Sequence, residues 1–265
     1  MPFSQSELAR TFKALHKPGD PIVLVNAWDA ISAKAVAALP ETKALATASY
    51  AIAAAAGLED HELDLETNIR GATAIAKVAK AHDLPLTVDF QDGYGEHLTV
   101  GVKKLLDIGA VGINLEDFSR EKESLYEIED AVGRIRKVLE ISRDAGVPDF
   151  VVNARTDALL VGLSVEEAIN RGKAYLDAGA TTTFIWGGRE RGGMTSAEVE
   201  QEARELGGRL NVSLKRVVPD GLTIHELRSI GGVGVARISI GPQLMMMSVR
   251  AVSDEAGNIL KGEGL

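Results

Sequence analysis

Five side chains that carry acid or amide oxygens stand in two short stretches, each directly after an apolar run. Asp89, Gln91 and Asp92 follow the first run, and Glu116 and Asp117 follow the second. If the runs are neighbouring parallel strands, these side chains converge at the same end of a sheet. Oxygen ligands of this kind suit Mg²⁺ or Mn²⁺. The pattern therefore predicts a metal-assisted enzyme.

The composition excludes several other classes of protein. The chain has 265 residues, of which 45% are hydrophobic and 25% charged, and its net charge is -9. A nucleic-acid surface needs a basic stripe, so nucleic acid is not an expected partner. There is no cysteine, which rules out disulfides, thiolate nucleophiles and cysteine-ligated zinc.

The same sequence offers no signal for membranes or export. The first residues lack the basic-then-apolar order of a signal peptide. No uncharged apolar run approaches roughly 18 residues, so no membrane span is expected. We predict a cytoplasmic protein with one domain over residues 1–265, because no repeat or linker divides the chain.

Short β-branched runs alternate with longer helical patterns. The predicted strands are Ile22–Val25, Ala44–Thr47, Leu86–Asp89, Gly112–Leu115, Phe150–Ala154, Thr182–Ile185, Leu210–Leu214 and Val233–Ser239. The predicted helices between them are Asp29–Leu39, Leu65–Ala81, Thr99–Ile108, Ile128–Ser142, Val165–Ala178, Ser196–Leu206 and Thr223–Ser229. Eight such units indicate an α/β fold, a (β/α)8 TIM barrel. An open doubly wound sheet is the competitor, but Val25–Asp29 lacks a glycine-rich phosphate loop.

Two further segments flank the predicted barrel. The amphipathic stretch Ser6–Leu15 predicts an extra N-terminal helix that closes the barrel bottom. Pro242–Val252 predicts an apolar C-terminal helix, which packs either on a neighbouring subunit or on its own barrel. The polar, glycine-containing stretch Glu255–Leu265 is expected to be a loose tail.

In a (β/α)8 barrel the chemistry lies where the strands end. The residues there are Asn26, Trp28, Thr47, Ser49, Tyr50, Asp89, Gln91, Glu116, Asp117, Asn153, Arg155, Asp157, Trp186, Lys215 and Ser239, with Asp60 in a loop nearby. A buried Arg155 needs an anionic partner, which Asp157, Glu116 or a substrate could supply. Asp117 could instead pair with a neighbouring helix. The five histidines form no ligand pair, and no Ser-His-Asp triad is indicated.

The ordered segments resemble the isocitrate lyase / phosphoenolpyruvate mutase superfamily over roughly residues 5 to 250. The resemblance is carried by Asn26–Ala30, Ser32–Lys34, Thr47–Ser49, Gly57–Asp60, Asp89–Gly95, Leu115–Asp117, Asn153–Asp157, Ala174–Tyr175, Ala178–Ala180 and Val235–Gly241. It implies a (β/α)8 barrel that binds Mg²⁺ and a 2-oxo acid, and an enolate formed when a C–C or P–C bond breaks. It also implies a tetramer, or otherwise a dimer, with C-terminal helices exchanged between subunits.

The resemblance assigns roles by matching position. Asp89 is then the principal metal carboxylate, with Gln91 and Glu116 as further ligands, Glu116 through water. Arg155 faces the enolate oxygen or the leaving group, so that Arg155, Glu116 and Asp60 form the catalytic set. The substrate-binding residues are Ser49, Tyr50, Trp28, Asn153 and Trp186. Asp60 matches the acid that accepts a phosphoryl group, or acts electrostatically, in mutase-like members.

Four departures from the family pattern bear on the reaction. Gln91 replaces the second acid of Asp-x-Asp, and the cysteine loop of the lyases is missing. The segment Phe118–Leu125 is short and lacks the Lys-x-Asn of the mutases, although Arg120 or Lys122 could still reach the site. Trp186 stands near the position of a phosphonyl-binding histidine.

These departures favour a lyase or decarboxylase that acts on an oxaloacetate-like 2-oxo acid. The alternatives are phosphonomutase or phosphonopyruvate hydrolase chemistry with Asp60, retro-aldol cleavage with Glu116 or Tyr94 moving a proton, and an inactive 2-oxo-acid-binding barrel. The loop 187–194 is either an anion-binding lid or a simple connection.

Overall fold

The computed structural model describes residues 3–188, 190–214 and 221–263. Lys215, which the sequence places at a strand end, and Arg189 of the glycine-rich loop lie outside them. The described strands are β1 (Ile22–Leu24), β2 (Asn26–Ala27), β3 (Leu45–Thr47), β4 (Leu86–Asp89), β5 (Gly112–Glu116), β6 (Phe118–Ser119), β7 (Ser124–Leu125), β8 (Val151–Thr156), β9 (Thr182–Ile185), β10 (Leu210–Ser213) and β11 (Arg237–Ser239).

The main sheet is parallel and its neighbours run in the order β1-β11-β10-β9-β8-β5-β4-β3-β2. Only Val25 separates β1 from β2, so the two ends of this order are halves of one interrupted strand. The sheet thereby curves into an eight-stranded barrel, which confirms the predicted (β/α)8 fold. The antiparallel pair β6–β7 is an added hairpin above β5.

Helices follow the strands, as a right-handed βα repeat requires. They are α1 (Gln5–Ala14), α2 (Ala30–Ala37), α3 (Ser49–Ala55), α4 (Leu65–Ala81), α5 (Leu98–Asp107), α6 (Ile128–Asp144), α7 (Val165–Asp177), α8 (Ser196–Glu205), α9 (Ile224–Leu227) and α10 (Gln243–Leu260). Short 3₁₀ turns occupy Asp60–Glu62, Gly95–His97, Ala158–Val161 and Ile230–Gly232.

Side-chain caps begin several of these helices. Asp29, Ser164 and Thr223 accept first-turn amide hydrogens, as the sequence predicts. The sequence also indicates Thr99 and Ser196 as N-caps, and both of these predictions are wrong. Thr195 caps α8 in place of Ser196, because Thr195 and Glu198 form a reciprocal capping box. Thr99 lies inside α5, since the turn Gly95–His97 leads directly into that helix.

The helix α1 lies under the barrel, where the extra N-terminal helix is expected. Nε2 of Gln5 donates to the carbonyl oxygens of Leu106 and Ala110 at 3.0 and 2.8 Å. The buried ring of Phe12 packs so close to Gly112, the first residue of β5, that a Cβ there would lie 3.1 Å from it. The amphipathic helix α1 therefore covers the amino-terminal ends of the strands.

Two predictions at the carboxyl end are wrong. The last strand begins at Arg237 and not at Val233, because Gly231, Gly232 and Gly234 have positive φ angles that a strand does not accommodate. The helix α10 runs to Leu260, so most of the expected loose tail is helical. None of the residues of α10 is buried, although Leu244 in its first turn packs against the hydrophobic cluster of β9, β10 and β11.

Two large hydrophobic clusters fill the layer between the sheet and the helices. One joins α1, β3, β4, β5 and the helices beside them, and the other joins β9, β10, β11, α8 and α9. Across the part of the chain that the structure describes, no helix is both long enough and apolar enough to span a membrane.

Candidate active site

Asp89 stands at the end of β4 in a cradle of hydrogen-bond donors. Its Oδ2 accepts from the amide and the hydroxyl of Ser49 at 2.9 and 2.8 Å, and its Oδ1 accepts from Nδ2 of Asn114 at 3.0 Å. Its own amide donates to Oγ1 of Thr47 at 2.8 Å. These contacts fix the orientation of the carboxylate at the barrel mouth.

A row of polar side chains continues from Asp89 around the barrel interior. Nδ2 of Asn153 donates to Oδ1 of Asn114 at 2.7 Å, and Oγ1 of Thr182 donates to Oδ1 of Asn153 at 2.7 Å. The row crosses β4, β5, β8 and β9. Asn153, predicted to bind substrate, is fully buried and lies within this row. Its contacts orient Asn114 and, through it, Asp89.

Glu116, Arg155 and Asp157 form an ion-pair chain at the ends of β5 and β8. Nη1 of Arg155 lies 2.8 Å from Oε2 of Glu116. Its Nε and Nη2 donate to the two carboxylate oxygens of Asp157 at 2.6 and 2.9 Å. Such two-pronged pairing fixes the plane of the guanidinium. The partners that the sequence offered for Arg155 are therefore both in contact with it.

Burial and the neighbouring carboxylates together change the protonation of Glu116. Burial raises the pKa of Glu116 to about 8; Arg155 opposes the shift, whereas Asp157 and Asp89 reinforce it. A divalent cation near Asp89 would offset this crowding of carboxylates. The electrostatics of the mouth therefore favour binding of a cation.

Asp60 comes to the site through the 3₁₀ turn Asp60–Glu62. Its Oδ2 lies 3.2 Å from Nη2 of Arg120, and its Oδ1 accepts from Nε2 of Gln91 at 3.2 Å. The hydroxyl oxygen of Ser49 lies 3.4 Å from the same Oδ1. Arg120 also donates to the carbonyl oxygen of Asp60 and lies 3.9 Å from Glu116. The short hairpin thus delivers Arg120 to the mouth, while Lys122 is exposed.

The oxygen atoms near Asp89 that could act as metal ligands fit a hard cation that keeps part of its water shell. Within residues 3–188, 190–214 and 221–263, no three His, Asp or Glu side chains are grouped as a ready metal cluster. Mg²⁺ often takes only one or two carboxylates and completes its shell with water. Oε1 of Gln91 is buried and accepts no hydrogen bond in the described structure, so an acceptor remains for such a water.

Gln91 reaches this position through an uncommon backbone conformation. Its φ is 51°, in the left-handed region, where residues other than glycine are scarce. Asp92 then turns away, and its carboxylate accepts from the amide of Tyr94 and the hydroxyl of Tyr126. Asp92 therefore cannot take the place of the missing acid at position 91.

The remaining predicted residues divide between the site wall and the framework. The Arg155 guanidinium stacks on the ring of Trp186, 4.0 Å from its centroid. Trp28 packs on Ile52 and its neighbours in α3. The amide of Ser49 is engaged by Asp89, and Tyr50 follows it in the first turn of α3.

Asp117 is part of the framework. It accepts hydrogen bonds from the amide of Asp157 and from the side chains of Thr156, Arg171 and Tyr175. This supports the alternative in which Asp117 pairs with a neighbouring helix.

Two interior residues were not singled out from the sequence. Asn114 lies two positions before Glu116 on β5, so the period of a strand points both side chains inward. Arg237 lies two positions before Ser239 on β11 and is 3% exposed. Its Nη1 has no partner in the described structure, and burial lowers the pKa of Arg237 to about 9. The alternation along each strand was the signal that could have revealed both.

Fold and site together define a (β/α)8 enzyme class with an acidic, oxygen-rich mouth. A family model described as Phosphoenolpyruvate phosphomutase matches residues 12–260. The chain belongs to this family, within the superfamily of phosphoenolpyruvate mutase and isocitrate lyase.

Individual relatives cover most of the chain. It is 31% identical over 258 residues to Uncharacterized protein Rv1998c of Mycobacterium tuberculosis, covering 96% of this chain and 91% of that protein. It is 27% identical over 260 residues to Oxaloacetate decarboxylase 1 of Pseudomonas putida, covering 95% and 84%. The structure of oxaloacetate acetylhydrolase with its product oxalate superposes with a TM-score of 0.83 at 23% identity, covering 97% of this chain and 87% of that chain.

Proposed function

We propose that the protein is a Mg²⁺-dependent lyase or decarboxylase that cleaves a C–C bond beside the carbonyl of an oxaloacetate-like 2-oxo acid. The observation that carries the proposal is the meeting of Asp89, Glu116 and Arg155 at adjacent strand ends in one acidic mouth. A relative named as an oxaloacetate decarboxylase covers nearly the whole chain and supports this choice.

The metal would be held by Asp89, with Gln91 and Glu116 completing the set through their oxygens or through water. When bound, it supplies a Lewis acid for the carbonyl oxygen of the 2-oxo acid. The chain itself contributes the positive charge of Arg155. Asp157 and Trp186 fix the plane of that guanidinium, which then faces the charge that develops as the bond breaks.

In a decarboxylation, the bond from C3 to the leaving carboxylate breaks and carbon dioxide departs. The electron pair of the broken bond stays on the C3 side and forms the enolate of pyruvate. A proton must then reach C3. Tyr94 is suited to hold that proton, because burial raises the pKa of its phenol well above the ordinary value. Nδ2 of Asn68 donates to the phenol oxygen at 2.8 Å and fixes its position. Water is the alternative donor.

The first test is a calorimetric titration of the metal-free protein with oxalate, a mimic of the pyruvate enolate, with and without Mg²⁺. We expect binding only with Mg²⁺, and Asp89→Asn should weaken it by about a hundredfold, since the principal carboxylate is lost. Asp64→Asn is the matched control, because Asp64 caps α4 away from the mouth. Binding of oxalate without Mg²⁺ would support an inactive 2-oxo-acid-binding barrel instead. If Asp89→Asn bound oxalate as tightly as Asp64→Asn does, the proposed metal site would be contradicted.

The second candidate is phosphonomutase or phosphonopyruvate hydrolase chemistry, with Asp60 as the phosphoryl acceptor. Asp60 lies at the mouth, which favours this candidate, but Arg120, Gln91 and Ser49 all contact its carboxylate. Asp60→Ala should abolish phosphoryl transfer, whereas it should lower decarboxylation less than about tenfold. Turnover of phosphonopyruvate and of oxaloacetate by the same variant separates the two reactions.

A further inference from the structure

The loop that follows β4 has an uncommon backbone conformation over residues 91–95, which we call the left-handed loop. The φ angles of Gln91, Gly93, Tyr94 and Gly95 are 51°, 78°, 60° and 59°. Glycine adopts such angles freely, but a residue with a side chain keeps them only where the surrounding structure holds it there. Gln91 and Tyr94 therefore need contacts that fix the loop.

Asp92 supplies some of these contacts from inside the loop. Its Oδ1 accepts from the amide of Tyr94 at 2.9 Å, and its Oδ2 accepts from the hydroxyl of Tyr126 at 3.0 Å. The side chain is buried. Tyr126 comes directly after β7, so the contact joins the left-handed loop to the end of the β6–β7 hairpin.

Arg134 of α6 holds the same loop from outside. Its Nη2 donates to the carbonyl oxygen of Asp92, and its Nη1 donates to that of Gly95 at 3.0 Å. Its guanidinium also lies over the ring of Tyr126, 4.5 Å from the centroid. Hydrogen bonds from a charged donor are stronger than neutral ones, and the rigid guanidinium fixes both carbonyl groups relative to each other. One side chain thus spans the left-handed loop.

The conformation of this loop decides where the side chain of Gln91 points. Its Nε2 donates to the carbonyl oxygen and to Oδ1 of Asp60 at 3.0 and 3.2 Å. Its backbone carbonyl oxygen accepts from the amide of Glu116 at 2.9 Å, at the end of β5. A return of Gln91 to negative φ would redirect its side chain and break these contacts. The mouth therefore depends on whatever keeps the loop left-handed.

We propose that Arg134 is a positioning residue of the candidate active site, which keeps Gln91 directed into the mouth by holding the carbonyl oxygens of Asp92 and Gly95. Among the described residues, Arg134 donates no hydrogen bond to Asp89, Gln91 or Glu116. Its effect is transmitted through the backbone of the loop. The inference rests on the proposed function, because it takes Gln91 as a ligand of the proposed metal.

Hydrogen exchange of the metal-free protein, followed by mass spectrometry, tests the first step. Arg134→Met should speed exchange of segment 91–97 at least tenfold and leave β8 unchanged, because only the loop loses its contacts. Arg134→Lys keeps the charge without the fork and should have a smaller effect. Arg136→Met is the matched control, as Arg136 is exposed on the same helix. Unchanged exchange of segment 91–97 in Arg134→Met, or an equal increase in β8, would overturn the proposal.

A calorimetric titration with oxalate in the presence of Mg²⁺ tests the second step. Arg134→Met should weaken binding about tenfold, an effect typical of groups that orient a metal ligand. In a Gln91→Ala background the same change should weaken it less than about twofold, because Arg134 acts through Gln91. A tenfold loss in both backgrounds would indicate general damage and refute the positioning role.

The same titration separates failure of this inference from failure of the proposed function. If the unmodified protein binds oxalate with Mg²⁺ and Arg134→Met binds it equally well, only the role of Arg134 is refuted. If the unmodified protein does not bind oxalate with Mg²⁺, the proposed function is refuted, and the role assigned to Arg134 falls with it.

Discussion

At the scale of single residues, Gln91 shows how one uncharged side chain can organise a charged site. Its Nε2 donates to the carbonyl oxygen and to Oδ1 of Asp60, at 3.0 and 3.2 Å. Its Oε1 remains an acceptor inside the mouth. An aspartate at this position would be shorter and would have no hydrogen to donate, so it could not hold the Asp60 turn in the same way.

Gln91→Glu should therefore destabilise the metal-free protein by roughly 1 to 3 kcal/mol, because two hydrogen bonds to Asp60 are replaced by a repulsion between carboxylates. Added Mg²⁺ should recover part of this loss. Urea unfolding with and without Mg²⁺ measures both effects. Gln5→Glu is the matched control, since it removes the two hydrogen bonds of Gln5 at the barrel bottom. Equal recovery by Mg²⁺ in both variants would argue against metal near position 91.

At the proposed metal site, we expect Glu116 to make Mg²⁺ affinity depend on pH. Its pKa is raised to about 8 in the metal-free protein, so it is mostly protonated at neutral pH. A cation that uses its carboxylate must displace this proton. Mg²⁺ affinity should thus rise as pH increases toward about 8 and level off above it. Calorimetry in buffers of different ionisation enthalpy should detect the released proton.

Glu116→Gln tests the origin of that dependence, because an amide does not titrate. The variant should bind Mg²⁺ more weakly at pH 8 and with a nearly flat profile between roughly pH 6 and 8. A profile as steep as that of the unmodified protein would assign the proton to a different group.

At the scale of elements, the short β6–β7 hairpin lies beside the mouth and carries Arg120. Arg120 in its turn is partly buried and contacts Asp60 and Glu116. Arg120→Ala should raise KM for oxaloacetate about tenfold and change kcat less than threefold, because its charge acts on the binding of a dianion rather than on bond cleavage. Steady-state kinetics measures both constants. Lys122→Ala in the same turn is the control, and an equal effect there would indicate only loss of general positive charge.

The sequence predicted the regular elements well and the connections poorly. Apolar β-branched runs located Leu86–Asp89 and Thr182–Ile185, since buried parallel strands have a continuous hydrophobic pattern. The helix α3 was missed, because Ser49–Ala55 follows its strand with no side-chain cap. The length of α10 was also missed, because its polar final turns look like a tail when no partner surface is known.

From the sequence, the candidate site could be predicted only for residues whose position follows from the spacing along a strand. Asp89, Glu116 and Arg155 were found because strand ends of a barrel must converge. The contact of Asp60 with Arg120 joins residues 60 positions apart through two irregular segments. Neither periodicity nor propensity specifies such a contact. The interior position of Arg237, whose Nη1 has no partner among the described residues, depends likewise on the closed sheet.

At the scale of the whole molecule, α10 presents an apolar surface that its own barrel does not cover. Met247, Val249 and Val252 are 53%, 59% and 69% exposed. Contiguous exposed apolar side chains on a helix are typical of an interface. The predicted dimer or tetramer with packed or exchanged α10 helices is in keeping with this surface and remains a prediction, as does the single domain over residues 1–265.

Sedimentation velocity tests the assembly. We expect the protein to sediment as a dimer or tetramer, and the double variant Val249→Asp/Val252→Asp to shift toward monomer, because burying carboxylates in an apolar contact is unfavourable. Val100→Asp is the control, as Val100 is a half-exposed apolar residue on α5. A monomer for the unmodified protein would reject both packing and exchange of α10.

The interruption of the first barrel strand has a consequence for how the chain folds. Beside it, Nδ2 of Asn26 donates to the carbonyl oxygen of Thr47 at 2.6 Å, and Oδ1 accepts from the amides of Ile240 and Gly241 at 3.1 and 2.8 Å. The side-chain amide of Asn26 thus joins the first barrel strand to residues that lie 214 and 215 positions further along the chain. Contacts between such distant segments form slowly. We therefore expect closure of the barrel at Asn26 to be a late step of folding. In a nascent chain the first strand must stay unpaired on this side until β11 has been synthesised.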